Sequence, residues 1–304
     1  MTARLRGELY LLFCTLIWGG TFVAIRLALT DSSSLLLVFI RFAISTVLFV
    51  PVLIFSKHNP FSFVGKRERG IAGAFTRSSL PLQGLTLGLF MFIGFGLQTI
   101  GLRHTTASRS AFITEMLVVF TPILNYLFFR HRPGMGNLLG ILLILPGMYL
   151  LTEPGRGEAN VGDVITLVSA AGFSLYIIFL DRYTREADLM PLLFWQIFGA
   201  TVFSGICALL FEEIRFRMTP NLIWTLLYLS PLATFFTLYL QNRYQKETTS
   251  VRAGILFAME PVFATTLAVL ILNEFPGANS FAGGALIVTG VIVSGVLGSR
   301  SRRE

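Results

Sequence analysis

Residues 98–109 read QTIGLRHTTASR, and residues 241–252 read QNRYQKETTSVR. The two stretches lie 143 positions apart and agree at Gln98 and Gln241, at Thr105-Thr106 and Thr248-Thr249, and at Arg109 and Arg252. Extended without gaps, residues 83–152 and 226–295 share 18 identities in 70 positions, where composition alone gives about six, the mark of an internal duplication. Pro133-Gly134 matches Pro276-Gly277, Gly140 matches Gly283, and Gly147 matches Gly290. Ahead of this block the offset becomes 155, pairing Gly7-Glu8 with Gly162-Asp163 and Arg41 with Gln196; a long basic stretch, 56–81, absorbs the 12-residue difference.

The duplicated unit is apolar. Of 304 residues, 54% are hydrophobic and 13% charged, with a mean hydropathy of +0.73. Soluble domains carry about 25% charged residues, so soluble globular and disordered classes are excluded. Ten blocks, at 8–29, 34–55, 82–102, 105–129, 134–152, 162–180, 190–211, 221–241, 249–272 and 277–298, are each long enough to cross a hydrocarbon layer of about 30 Å as a helix. The expected fold is an all-α polytopic membrane protein of ten helices in two five-helix repeats, 1–152 and 157–304. The first block is too long for a removable signal peptide and is expected to be retained.

The net charge of +8 could suggest nucleic acid, but the basic residues fall in clusters between apolar blocks, which is an orientation signal. One alternating set of loops holds 16 of the 24 Lys and Arg residues, and the other holds Arg103, Arg156, Arg215 and Arg217. Both termini are therefore expected on the cytoplasmic side of a cell membrane. The stretch 56–81 reads as a solvated linker, with an interfacial role on anionic lipid as the alternative. Five crossings per unit is an odd number, so the second copy enters from the opposite side, and the repeats are related by a two-fold axis in the membrane plane. Inverted repeats of this kind are the architecture of alternating access.

Charged groups near mid-membrane cost about 2.5–3.5 kcal/mol each on insertion scales and usually face a cavity or a partner. Glu260 lies about 11 residues into its block and Glu115 about nine, which at helical rise places both near the centre. They are the candidates for contacting a solute or carrying a coupling proton. Pro261 should free the carbonyl of Phe257 and loosen the ninth helix at that depth. Arg41, about two turns into the second block, reads as an internal ion pair or a hydrogen-bonded strut, with Glu115 as a candidate partner. Arg109 and Arg252, about one turn into theirs, either snorkel to the interface or serve the cavity. Gln98 and Gln241 read as helix-to-helix hydrogen bonds. Cys14 and Cys207 sit alone in apolar runs as packing residues, and the spacing of His58, His104 and His131 suits neither a metal site nor a nucleophile and base pair. No catalytic residue, metal or cofactor is expected.

On these residues the chain resembles EamA-type members of the drug/metabolite transporter superfamily, over nearly its whole length. The matching features are Trp18-Gly19, Arg41-Phe42, the segment from Gln98 to Thr106, Gly162-Asp163, Glu260-Pro261 with Glu274 beyond it, Gly283 and Gly290. It departs from the commoner first-half pattern, with Val118 opposite Pro261 and Arg130-His131 opposite Asn273-Glu274. The resemblance implies a central cavity lined largely by the third, fourth, eighth and ninth helices, with Trp18 joining the candidate site, and movement of a small metabolite. The expected function is secondary transport of a small organic solute, an exporter of an amino acid or related compound, with a proton as candidate coupling ion. The alternatives are a membrane-embedded enzyme on lipid-linked substrates, which should show paired catalytic groups, and a passive channel, which needs a ring of equivalent residues.

Overall fold

The computed structural model describes residues 2–55, 79–152, 160–272 and 277–300. Most of the basic stretch 56–81, Arg156, Asn273 and Glu274 lie outside these. Nine helical runs among the described residues are long and apolar enough to cross a membrane: Ala3–Ala28, Ser34–Pro51, Leu80–Leu102, Ala107–Phe129, Met135–Thr152, Val161–Tyr183, Leu189–Phe211, Pro220–Glu247 and Ala278–Leu297. Between the last two, the halves Ser250–Phe257 and Glu260–Leu272 form the ninth span in chain order. Helices start close to the expected positions, except that the first begins at Ala3. Thr2 caps it by accepting from the Leu5 amide, and the Arg4–Glu8 and Arg6–Glu247 ion pairs hold its charged opening turns.

Several spans are not straight. The fourth breaks at Glu115-Met116 between Ala107–Thr114 and Leu117–Phe129, and the ninth breaks at Ala258-Met259. These breaks lie 143 positions apart, so they are one break, duplicated. Pro261 accounts for the ninth as expected, since it cannot donate to the Phe257 carbonyl. Val118 takes the proline's place in the fourth, yet the chain turns at the same point. There the Leu117 carbonyl accepts from Ser174 of the sixth span, and Pro122, one turn beyond Val118, leaves the Val118 carbonyl without its helical donor. The first span breaks at Gly19-Gly20, and the eighth passes through a π-helical turn, Tyr228–Phe236, around Pro231. Their repeat mates, the sixth and third spans, run unbroken.

The repeated Thr-Thr-x-x-Arg motif opens the fourth and ninth spans. Thr106 and Thr249 are N-caps whose hydroxyls accept from the amides of Arg109 and Arg252, an arrangement worth about 1 kcal/mol. The motif therefore fixes a helix start and aims an arginine from its first turn.

The packing shows how the repeats are related. In the fifth and tenth spans, Gly140 lies against the Gly290 backbone and Gly147 against the Gly283 backbone; a Cβ on Gly140 would meet the Gly290 carbonyl at 2.7 Å, and one on Gly147 the Gly283 carbonyl at 2.9 Å. Exchanging the repeats by the 143 offset turns the first contact into the second. Likewise the third span packs on the sixth and seventh, and the eighth packs on the first and second. A contact set that maps onto itself under exchange is what a two-fold axis produces.

Candidate functional site

Near the middle of the bundle is a small cavity of about 60 Å³. It is lined by Trp18, Thr21, Phe95, Gln98, Thr114, Glu115, Leu117, Phe173, Tyr176, Ile177, Leu238, Gln241, Phe257 and Glu260. Twelve of these fourteen form six repeat-related pairs: Trp18 with Phe173 and Thr21 with Tyr176 by the 155 offset, then Phe95 with Leu238, Gln98 with Gln241, Thr114 with Phe257, and Leu117 with Glu260 by the 143 offset. The cavity therefore sits on the axis. Small-molecule sites usually measure about 300–1,000 Å³, so the cavity in this structure is smaller than such a site.

Its polar groups are held unequally. Gln98 Nε2 donates to Thr114 Oγ1 at 3.1 Å, the helix-to-helix bond expected. Gln245 Nε2 donates to the Ile177 carbonyl at 2.7 Å, so Gln245 Oε1 is left to accept from Gln241 Nε2 at 2.9 Å. That chain leaves Gln241 Oε1 in the cavity wall without a donor, and both carboxylate oxygens of Glu115 are also buried and unpartnered. Gln241 thus borders the cavity instead of bridging helices. Trp18 Nε1 donates to the Ala233 carbonyl and to Thr237 Oγ1, both at 3.1 Å, and its ring meets Phe257 edge-on.

Arg41 is buried, but its partner is not Glu115. Its Nε donates to Thr234 Oγ1 at 2.5 Å and its Nη2 to the Ala233 carbonyl at 3.1 Å, with the guanidinium 4.4 Å from the Phe95 ring centre. The π-helical turn explains this, because Thr234 and Ala233 lie within it and offer their oxygens across to the second span. Arg41 does not line the cavity.

Arg109 and Arg252 neither snorkel nor reach the cavity. Arg109 Nη2 bonds Asp163 Oδ2 at 2.6 Å, while Asp163 Oδ1 accepts from Thr105 Oγ1 at 2.7 Å. Arg252 grips Glu8 with Nε at 3.2 Å and Nη2 at 3.0 Å, and its Nη1 donates to the Val291 carbonyl at 2.6 Å. Repeat exchange carries Arg109 to Arg252 and Asp163 to Glu8, so these are one ion pair made twice, each joining one repeat to the other. They lie at opposite ends of the bundle, the first near Thr105 and Gly162, the second near Arg4 and Glu247. Exchange therefore swaps the ends, and the two-fold axis runs across the helices, as an inverted repeat requires.

Sequence reasoning missed Phe173, Tyr176, Thr114 and Phe257. The signal was available for Phe173, the 155-offset mate of Trp18. Tyr176 is buried, accepting from Asn242 Nδ2 and facing Gln196 Oε1, each at 3.4 Å. Among the described residues no group of three or more His, Cys, Asp or Glu could hold a metal.

Comparison with known proteins follows this geometry. The model of the EamA-like transporter family matches residues 5–153 and 160–296. A protein of Archaeoglobus fulgidus named an uncharacterized transporter is 31% identical over 95% of this chain and 86% of its own length. An Escherichia coli protein named a probable amino-acid metabolite efflux pump is 27% identical over 99% of this chain and 98% of its own. A solved crystal structure, 18% identical and described only as that of a protein, superposes with a TM-score of 0.75 over 97% of this chain and 98% of that one.

Proposed function

The chain belongs to the EamA-like transporter family, and from that premise we propose that this membrane transporter carries a small amino-bearing metabolite, of the amino-acid class, by alternating access. The observation that carries the reading is the set of unpartnered acceptors at the cavity, Glu115 Oε1 and Oε2 with Gln241 Oε1. Buried acceptors without donors are costly, and an ammonium group brings three N–H donors and the opposite charge. The aromatic walls, Trp18, Phe95, Phe173 and Phe257, supply the apolar contact for the rest of the solute. The name of the Escherichia coli relative points to the same class.

The two exchange-related ion pairs supply the moving parts of the proposal. With 1–152 and 157–304 as the two units, Glu8–Arg252 closes one end and Arg109–Asp163 the other, and transport alternates which pair parts. Parting a buried ion pair gives up its charge-assisted hydrogen bonds, so the closed pair at one end holds while the other parts, which keeps the path from leaking. Glu115 and Glu260 take up a proton in the half-cycle in which no solute ammonium neutralises them. The distribution of basic residues supports an inner-membrane protein with both termini in the cytoplasm, and the direction of net flux is outward.

The test is counterflow in proteoliposomes with a panel of amino acids, their amines and their des-amino acids. Saturable exchange should require the amino group, and a pH gradient should drive it in a manner lost in Glu260→Gln. Exchange of des-amino acids with equal rate would remove the amine reading. Flux indifferent to pH and to Glu260→Gln would remove the proton.

A further inference from the structure

The end of the bundle that carries Arg109–Asp163 holds a second link between the repeats. The seventh span ends at Phe211, and residues 212–219 run as a non-helical strap to Pro220, which opens the eighth. Glu212 leads the strap in extended backbone. Its Oε1 accepts from the Ser34 amide at 2.7 Å, and its Oε2 from the Leu35 and Leu36 amides at 2.9 and 3.1 Å. The second span starts at Ser34, so a carboxylate of one repeat caps a helix of the other, where free amides and the helix dipole favour negative charge.

The strap then pairs with the turn between the first and second spans. The Ser33 amide donates to the Arg215 carbonyl at 2.9 Å and the Arg217 amide to the Asp31 carbonyl at 2.8 Å, which sets Ser32 opposite Phe216 in an antiparallel bridge. Thr219, the N-cap of the eighth span, donates to Asp31 Oδ2 at 2.6 Å. Arg103 lies 3.8 Å from Glu212 and two residues ahead of Thr105, whose hydroxyl bonds Asp163. Strap and ion pair therefore share one end.

The two links differ in what backs them. Arg109–Asp163 joins side chains, whereas the strap joins backbone to backbone and continues into helix packing. Behind it the second span packs on the seventh and on the π-helical turn of the eighth. Ser45 Oγ donates to the Ser230 carbonyl at 2.9 Å, Arg41 bonds Thr234 and Ala233, and Thr46 Oγ1 meets Thr201 Oγ1 at 2.9 Å. Thr46 and Thr201 are mates by the 155 offset, so this contact lies on the two-fold axis. Lifting the strap would uncap three helix amides and pull against that packing. We propose that the strap is a hinge, closed on the turn at 31–33 throughout the cycle while Arg109–Asp163 at the same end parts. The hinge rests on the alternating-access reading above.

Ser32 and Phe216 form a non-hydrogen-bonded antiparallel pair, whose Cα atoms lie about 4.5 Å apart, within the span of about 4.4–6.8 Å that a disulfide bridges. The experiment puts the full chain with Ser32→Cys and Phe216→Cys in proteoliposomes, oxidised and then reduced, with the bridge verified by peptide mass. The probe is counterflow of labelled mixed amino acids. The oxidised form should run within about twofold of the reduced form, and a fall of about tenfold that reduction restores overturns the hinge. Glu212→Ala, which removes the cap, should slow counterflow about tenfold, and the disulfide should restore it. An unslowed Glu212→Ala, or a loss that the disulfide leaves in place, also overturns the hinge; if that variant does not fold, the disulfide alone decides. A native chain without saturable counterflow removes the transport reading. The hinge is then decided by maleimide labelling of Thr114→Cys in the cavity, which the strap disulfide should leave unchanged and which a moving strap would block.

Discussion

The two faces of the central cavity share a frame and differ in chemistry. Where the first repeat places Thr114 and Leu117, the second places Phe257 and Glu260, and where the first has Glu115 the second has Ala258. The backbone breaks coincide under exchange, yet neither cavity acid, Glu115 or Glu260, coincides with an acid. Symmetry of the frame is what the proposed alternation needs, since it allows two end states of similar construction. Under the proposed function, asymmetry of the side chains sets what is held there. The lesson is that the duplicated backbone and the side chains at the cavity are separately encoded, and each can be disturbed without the other.

The largest effect is expected where the frame is tied. Removing one partner of either ion pair, as Arg252→Gln or Arg109→Gln, should cost about 3–5 kcal/mol of stability, measured by thermal unfolding in detergent. Cysteine labelling should then rise at the end where that pair lies and not at the other. Equal labelling at both ends in either variant would break the assignment of one pair to each end. Reversing the charges together, Arg252→Glu with Glu8→Arg, should restore much of the loss.

The chemistry should respond next. Glu115→Gln keeps the size of the side chain and removes its charge, and it should lower amino-solute counterflow by about a hundredfold, or about 2.7 kcal/mol, with little change in melting temperature. An Ala258→Ser change, at the position related to Glu115 by exchange, should leave counterflow near the native level, because the chemistry is not duplicated there. Comparable losses in both would merge what the comparison separates.

Two smaller changes sharpen the contrast. Gly283→Ala forces a Cβ to within 2.4 Å of the Leu151 amide nitrogen, and such overpacking should cost about 1–3 kcal/mol, read as a lower melting temperature. Trp18→Phe makes the first-span wall resemble its mate Phe173. It loses the indole bonds to Ala233 and Thr237 and should cost about 1 kcal/mol, with counterflow still measurable. Abolition of flux by this near-symmetric change would mean that the indole itself contacts solute.

Much of the frame was legible in the sequence because apolar length and an odd count of crossings leave few alternatives. The acids could be placed by depth alone, counting residues from the start of each span, and both Glu115 and Glu260 reach the cavity. The ninth-span break was legible through Pro261. Its twin at Glu115-Met116 was not, since Val118 stands at the proline's position, Pro122 lies one turn beyond it and a contact from Ser174 accompanies the turn. The partner of Arg41 was hidden for a related reason. Only an irregular turn in the eighth span brings Thr234 and Ala233 to it, and Pro231 was its sole trace. The ion pairs were half-visible. Gly7-Glu8 with Gly162-Asp163 and Arg109 with Arg252 were all matched by offset, but which arginine meets which acid depends on how the ends of the repeats come together.

The glycine contact between the fifth and tenth spans has its own consequence. Each of these spans is carried onto the other by repeat exchange, so in the proposed alternating cycle their crossing point serves as an axle. Spin labels or fluorophores beside Gly140 and Gly290 should keep a constant separation through the cycle, and they would serve as the fixed ruler against which the travel of every other helix is measured.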